Sequence, residues 1–191
     1  MMRFFLILLL LLCSSCIQML GDPQPIHYYL LEGVPQETNI VSDKALTMSL
    51  QLTNFPVYLD RLQIVTKNDD KTINVSDHDR WAEPIQGNIL QKVRENLRIV
   101  LPAANIAISP WENSTTDAIK IKIMVNRFSG KLGDHTEIDI RWSIDGGVEE
   151  IRQGHFADQQ PIGDSYQELV AGLNSGINNF SLELAKNLSR E

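Results

Sequence analysis

Two stretches in the second half of the chain alternate apolar and polar residues with the period of a β-strand. In the first, Ile119, Ile121, Ile123 and Val125 alternate with Lys120, Lys122, Met124 and Asn126. In the second, Ile138, Ile140, Trp142 and Ile144 alternate with Glu137, Asp139, Arg141 and Ser143. A period of two puts each apolar set on one face of a sheet. Turn-forming Ser129 to Gly133 and Asp145-Gly146-Gly147 bound the two strands, and Val148 to Phe156 follows as a third. This predicts an antiparallel meander with one aliphatic and one charged face. On the charged face Lys120 and Lys122 are available to pair across strands with Glu137 and Asp139. Earlier in the chain, Leu46, Met48, Leu50 and Leu52 alternate with Thr47, Ser49 and Gln51. Leu62 to Lys67 and Thr72 to Ser76 flank Asn68-Asp69-Asp70 as a hairpin. His27 to Leu31 reads as a first strand, followed by a polar loop from Glu32 to Lys44.

The period changes twice. Ile85, Ile89, Val93, Leu97 and Val100 fall at helical spacing, with Pro84 at the first helical position and Pro102 ending the run. Ser165-Tyr166-Gln167-Glu168 is a capping box. After it, Tyr166, Leu169, Val170, Leu173, Ile177, Phe180, Leu184 and Leu188 form one apolar stripe. An aliphatic sheet face must be covered, and these helices are the available cover. The predicted fold is α+β: an antiparallel or mixed β-sheet with two long amphipathic helices packed on one face.

The most apolar segment lies outside this pattern. Arg3 precedes an unbroken apolar run from Phe4 to Leu12, followed by Cys13-Ser14-Ser15-Cys16. That is the layout of an export signal. The uncharged run from Phe4 to Leu20 falls short of the roughly 20 apolar residues of a typical membrane-spanning helix. The stretch before Cys16 resembles a bacterial lipobox, in which small residues precede a cysteine thiol that receives diacylglycerol. Its one departure is Cys13, where Leu is usual. A plain secretory signal and an uncleaved anchor remain the other readings of the leader. The chain has only these two cysteines, so the body carries no disulfide framework. The domain plan is a signal peptide over 1–15, a lipidated N-terminus and flexible tether over 16–26, and a single domain over 27–191.

Charge narrows the partners. The chain carries 17 Lys and Arg against 24 Asp and Glu, a net charge of −7 that becomes about −8 when Arg3 leaves with the leader. Such a chain is a poor nucleic-acid binder, because phosphate contacts need a concentrated positive surface. Attachment to a membrane must come from the lipid rather than from a basic patch.

No catalytic constellation stands out. Asp77-His78-Asp79 precedes a helix start in a polar stretch and reads as a solvated turn. His27, His135 and His155 show no metal-ligand spacing. No nucleophile elbow, phosphate loop or dinucleotide fingerprint is present. Catalytic and metal-binding residues are therefore assigned to none, and no cofactor is expected beyond the covalent lipid at Cys16. Two segments mix aromatic, proline and charge: Phe55-Pro56-Val57-Tyr58-Leu59-Asp60-Arg61 before a strand, and Asp79-Arg80-Trp81-Ala82-Glu83-Pro84 before a helix. Packed element starts account for both. Tyr58, Arg61 and Trp81 are also candidates for partner contact, since aromatic and Arg residues concentrate at binding hot spots.

At these segments the chain resembles the ABC-type transport auxiliary lipoproteins of the PqiC type. The matching features run in order: Tyr28-Tyr29-Leu30-Leu31, Pro56-Val57-Tyr58-Leu59-Asp60-Arg61, Trp81-Ala82-Glu83-Pro84, Phe128-Ser129-Gly130, Trp142, and Tyr166-Gln167-Glu168-Leu169. They span residues 28–190. The resemblance implies a non-enzymatic accessory subunit of a lipid transport system. Such a subunit sits on the periplasmic face of the outer membrane of a Gram-negative bacterium and docks an envelope-spanning MCE-domain partner. It supports lipid trafficking and membrane integrity, and the family implies a homo-oligomeric ring. Ile17 after Cys16, rather than Asp, is consistent with outer-membrane sorting by the enterobacterial convention. The alternative is a periplasmic lipoprotein that itself holds an acyl chain between sheet and helices.

Overall fold

The computed structural model describes residues 24–33, 45–110, 112, 115, 117–146 and 151–189. The leader, Cys16 and most of the predicted loop over 32–44 lie outside the described residues.

Strands β6 (Ile119–Gly130) and β7 (Thr136–Asp145) form the centre of the molecule. They pair antiparallel, with Ile121 opposite Ile144, Ile123 opposite Trp142 and Val125 opposite Ile140. The aliphatic side chains of both strands are buried, as the alternation predicts. Each such side chain removed from water contributes about 1.5–3 kcal/mol. Strand β8 (Arg152–Asp158) continues the meander antiparallel to β7.

On its other side β6 pairs in parallel with β2 (Thr47–Asn54), which in turn pairs in parallel with β5 (Asn105–Ile108). The five-stranded sheet runs β5-β2-β6-β7-β8 and is mixed. Parallel neighbours need a crossover, and helix α1 (Ile85–Val100) lies on the path between β2 and β5. Helix α2 (Tyr166–Ser189) follows β8. Helix α1 lies over β2 and β5, α2 lies over β6 and β7, and the two helices touch each other. This is the α+β arrangement that the pattern predicts.

The capping box forms. The Glu168 N–H donates to Ser165 Oγ at 3.2 Å, and the Ser165 N–H donates to Glu168 Oε2 at 3.4 Å. The stripe below it is buried from Leu169 to Leu188. Gly176 sits in the middle of α2 where the helix crosses β7. A Cβ there would run into Ile138 Cδ1, so the close approach of helix and sheet requires glycine.

A second sheet closes one end of the core. Strands β3 (Gln63–Lys67) and β4 (Ile73–Trp81) form the predicted hairpin, and β1 (His27–Tyr29) adds to β4 in parallel, in the order β1-β4-β3. The single sheet of the sequence reading is therefore two sheets over one continuous core.

Three local expectations are corrected. Asp77-His78-Asp79 is not a turn but part of β4, with Asp79 opposite His27 of β1. The strand bends there, and Ser76 Oγ accepts from the Asp79 N–H at 2.9 Å. Lys120 and Lys122 do not face Glu137 and Asp139. The antiparallel register sets them opposite Asp145 and Ser143, because the start of β6 meets the end of β7. Pro84 is the N-cap of α1 rather than its first helical residue.

Candidate partner-binding surface and strand anchor

Between β2 and β3 the chain makes a short 3-10 turn over Val57–Leu59. Pro56 holds extended geometry at its start (φ −62°, ψ 120°), and its carbonyl accepts from the Leu59 N–H at 2.9 Å. Leu59 is buried and pins the turn to the core. Tyr58 is half-buried against that core, while Val57 stands 86% exposed. Asp60 and Arg61 are exposed. The turn is thus fixed from below and presents Val57, part of Tyr58 and Arg61 outward.

Beside the turn lies an open groove of about 450 Å³ lined by Asp60, Glu83, Pro84, Gln86, Gly87 and Ile108. Its floor includes the first turn of α1. No side chain caps that helix start, and no acidic residue lies in its first turn. Gly87 leaves the wall open, with nothing within 4 Å of where a Cβ would stand. Glu83 accepts from Asn88 Nδ2 at 2.6 Å. The groove therefore combines two carboxylates, neutral amides and an aliphatic wall.

Trp81 does not share this surface. It is 5% exposed, and its ring packs on Phe128 with centroids 6.3 Å apart. The register of β4 turns it inward beside Tyr29. Of the three candidates, Tyr58 and Arg61 share the β2–β3 connection, and Trp81 belongs to the core. Cys16 lies outside the described residues.

No pattern in the sequence points to the polar cluster under β1. Tyr29 Oη donates to Asp79 Oδ1 at 2.9 Å, Ser76 Oγ donates to Asp79 Oδ2 at 2.9 Å, and His27 Nδ1 lies 3.3 Å from Asp79 Oδ1. Burial, then the hydrogen bond and charge of Asp79, push the Tyr29 phenol up to about 12. Here the carboxylate sits between serine and histidine. A hydrolytic triad needs the imidazole between the other two, so that it can take the hydroxyl proton. In this order the Ser76 hydroxyl is bonded to the carboxylate rather than to an imidazole, and the cluster holds a strand. Among the described residues, no group of three or more His, Cys, Asp or Glu could hold a metal ion.

Two helix amides, one buried and one half-buried, extend the anchor. Asn88 Oδ1 accepts from the Leu31 N–H at 2.9 Å, and Asn174 Oδ1 accepts from the Glu32 N–H at 2.7 Å. The chain leaving β1 is thereby tied to both helices, with Leu31 only 1% exposed. Asn96 continues the polar seam, donating to Asn178 Oδ1 at 2.9 Å and Ser181 Oγ at 3.1 Å.

The core leaves little free space. The cavity lined by Leu59, Ile64, Trp81, Ile85, Phe128 and Leu173 measures about 10 Å³. Ligand pockets run to roughly 300–1,000 Å³. No helix of the described residues is long and apolar enough to cross a membrane.

The fold and surface define an α+β domain whose first strand is locked in place and whose exposed features are a rigid turn and a groove. The chain belongs to the ABC-type transport auxiliary lipoprotein component family, whose profile matches residues 28–185. A crystal structure of an uncharacterised protein shares the fold at a TM-score of 0.72 and 20% identity, covering 87% of this chain and 100% of that one. The crystal structure of protein XCC0632 from Xanthomonas campestris matches at a TM-score of 0.67 and 14% identity, covering 85% of this chain and 94% of that one. Among curated proteins none matches the chain.

Proposed function

We propose that this chain is a non-catalytic docking lipoprotein of the outer membrane, facing the periplasm. Cys16 carries the lipid, and the domain holds the MCE-domain protein of an ABC-type lipid transporter. The observation that carries this reading is the family match over residues 28–185, which makes the chain an auxiliary component of a transport system. The contact surface on this reading is the 3-10 turn with Tyr58 and Arg61, together with the groove at the start of α1. Pre-ordering of that turn by Pro56 and Leu59 supports it, since a rigid surface loses little entropy on binding. The mechanism is tethering. Confining domain and partner to one envelope site raises their effective concentration to the millimolar range for a short linker.

Two experiments test the two halves separately. Palmitate labelling should mark the wild type and not Cys16→Ser; label retained by Cys16→Ser removes the anchor. Tyr58→Ala and Arg61→Ala should each reduce co-purification of the MCE-domain protein from a chain that melts normally; unchanged recovery removes the surface. The acyl-carrier alternative gains no support from a core cavity of about 10 Å³.

A further inference from the structure

Around the first strand the apolar side chains alternate outward and inward, with His27 also exposed. Ile26, Tyr28 and Leu30 are 41%, 61% and 50% exposed, while Tyr29 packs on the core and Leu31 is buried. The strand thus turns an apolar row away from the protein. β1 is an edge strand, and among the described residues no further strand pairs with it. The register places Arg80 opposite both Tyr28 and Gln63, and so on the same face as Tyr28. Arg80 is half-buried, and its Nε has no hydrogen-bond partner among the described residues.

We infer that this outer face of the three-stranded sheet is a membrane-contact face, seated at the head-group level of the bilayer that holds the lipid anchor. The inference rests on the assignment of the anchor to Cys16. Only nine residues lie between Cys16 and Ile26, and the ten steps from one to the other reach at most roughly 35 Å. Among the described residues β1 is therefore the element nearest the anchor along the chain. The side chains fit that environment. Tyrosine favours the membrane–water boundary, where its ring meets apolar matter and its hydroxyl stays wet. Ile26 and Leu30 supply shallow apolar burial. Half-buried Arg80 gives the same face a cation complementary to lipid phosphate. A second copy of this chain is a poorer occupant. Three side chains on and beside a three-residue strand fall well short of the roughly 800 Å² per partner of a standard interface.

The test uses the mature lipidated protein on phosphatidylethanolamine–phosphatidylglycerol vesicles. The chain's cysteines are Cys13 and Cys16 alone, so leader removal and lipidation leave no free thiol. Nitroxide is attached at Tyr28→Cys, and separately at Leu30→Cys and at His155→Cys, which lies 54% exposed on another strand. Melting curves establish that each variant is folded. Labels at 28 and 30 should be relaxed several-fold more by oxygen, relative to a water-soluble nickel complex, than the label at 155. Protein that floats with the vesicles while labels at 28 and 30 are as water-exposed as at 155 overturns the face and leaves the anchor intact. Protein that does not float, with Cys16 itself taking up label, overturns the anchor and the inference with it. Dipolar broadening between labels at 28 places the face against a second copy and also overturns it.

Discussion

Tyr29 and Asp79 lie fifty positions apart in the chain and meet at 2.9 Å across the parallel pairing of β1 and β4. That bond, with the Ser76 and His27 contacts to the same carboxylate, fixes the first strand of the domain. Tyr29→Phe should therefore destabilise the fold by about 1 kcal/mol, the net worth of one such bond. The effect should concentrate in faster amide exchange of residues 27–31, measured by hydrogen–deuterium exchange.

The same pair sets a pH dependence at the alkaline end. The folded phenol titrates near 12 against 10.0 for the free side chain. Its contribution to stability is complete below pH 10 and declines as pH rises toward 12, because the unfolded chain loses that proton first. Urea midpoints across this window should fall more steeply for the wild type than for Tyr29→Phe.

Two glycines should respond oppositely to alanine. Gly176→Ala forces a methyl into Ile138 and should cost about 1–3 kcal/mol. Gly87→Ala meets open space within α1 and should gain about 0.4–1 kcal/mol. Chemical denaturation reads both. Equal effects of the same sign would mean that α2 and β7 are not in close approach.

Asn88→Ala should loosen the strap that follows β1. The Leu31 N–H and the Glu83 carboxylate both lose a partner. Leaving a buried N–H unpaired costs about 1–3 kcal/mol. The Leu31 amide should exchange markedly faster, with the amides of β7 unchanged.

An acid-side prediction comes from the link between the two sheets. Lys67 pairs with Glu137 and holds its carboxyl below the ordinary range. Stability from this pair is present at neutral pH and is lost as pH falls below about 4.5 through the lowered folded value. Both groups are partly exposed, so a double-mutant cycle with Lys67→Met and Glu137→Gln should give about 0.2–1 kcal/mol of coupling at pH 7, vanishing in acid.

What was legible in the sequence was periodic. Residues 119–126 and 138–144 declare strands because one face is buried and the other wet. Helix α2 declares itself by a capping box and a stripe that repeats over six turns. The rest was set by long-range pairing. β5 has only Ile106 and Ile108 to mark it, and it exists because β2 offers an edge. The parallel union of β1 with β4 leaves no local trace, so Asp79 read as a turn residue and Trp81 as a surface candidate. Asn88, Asn96 and Asn174 carry no local mark that sets them apart from other polar helix positions. They are buried or half-buried because the strap and the second helix bring donors to them.

On the proposed function the fixed turn at Val57 faces a transport partner. Val57 is 86% exposed and carries no structural load, so a photo-crosslinking residue can replace it in the full-length protein in cells. The account predicts a crosslink from position 57 to an MCE-domain protein, and none from Asn126 on the exposed face of the large sheet. A crosslink from position 126 with none from position 57 would contradict it.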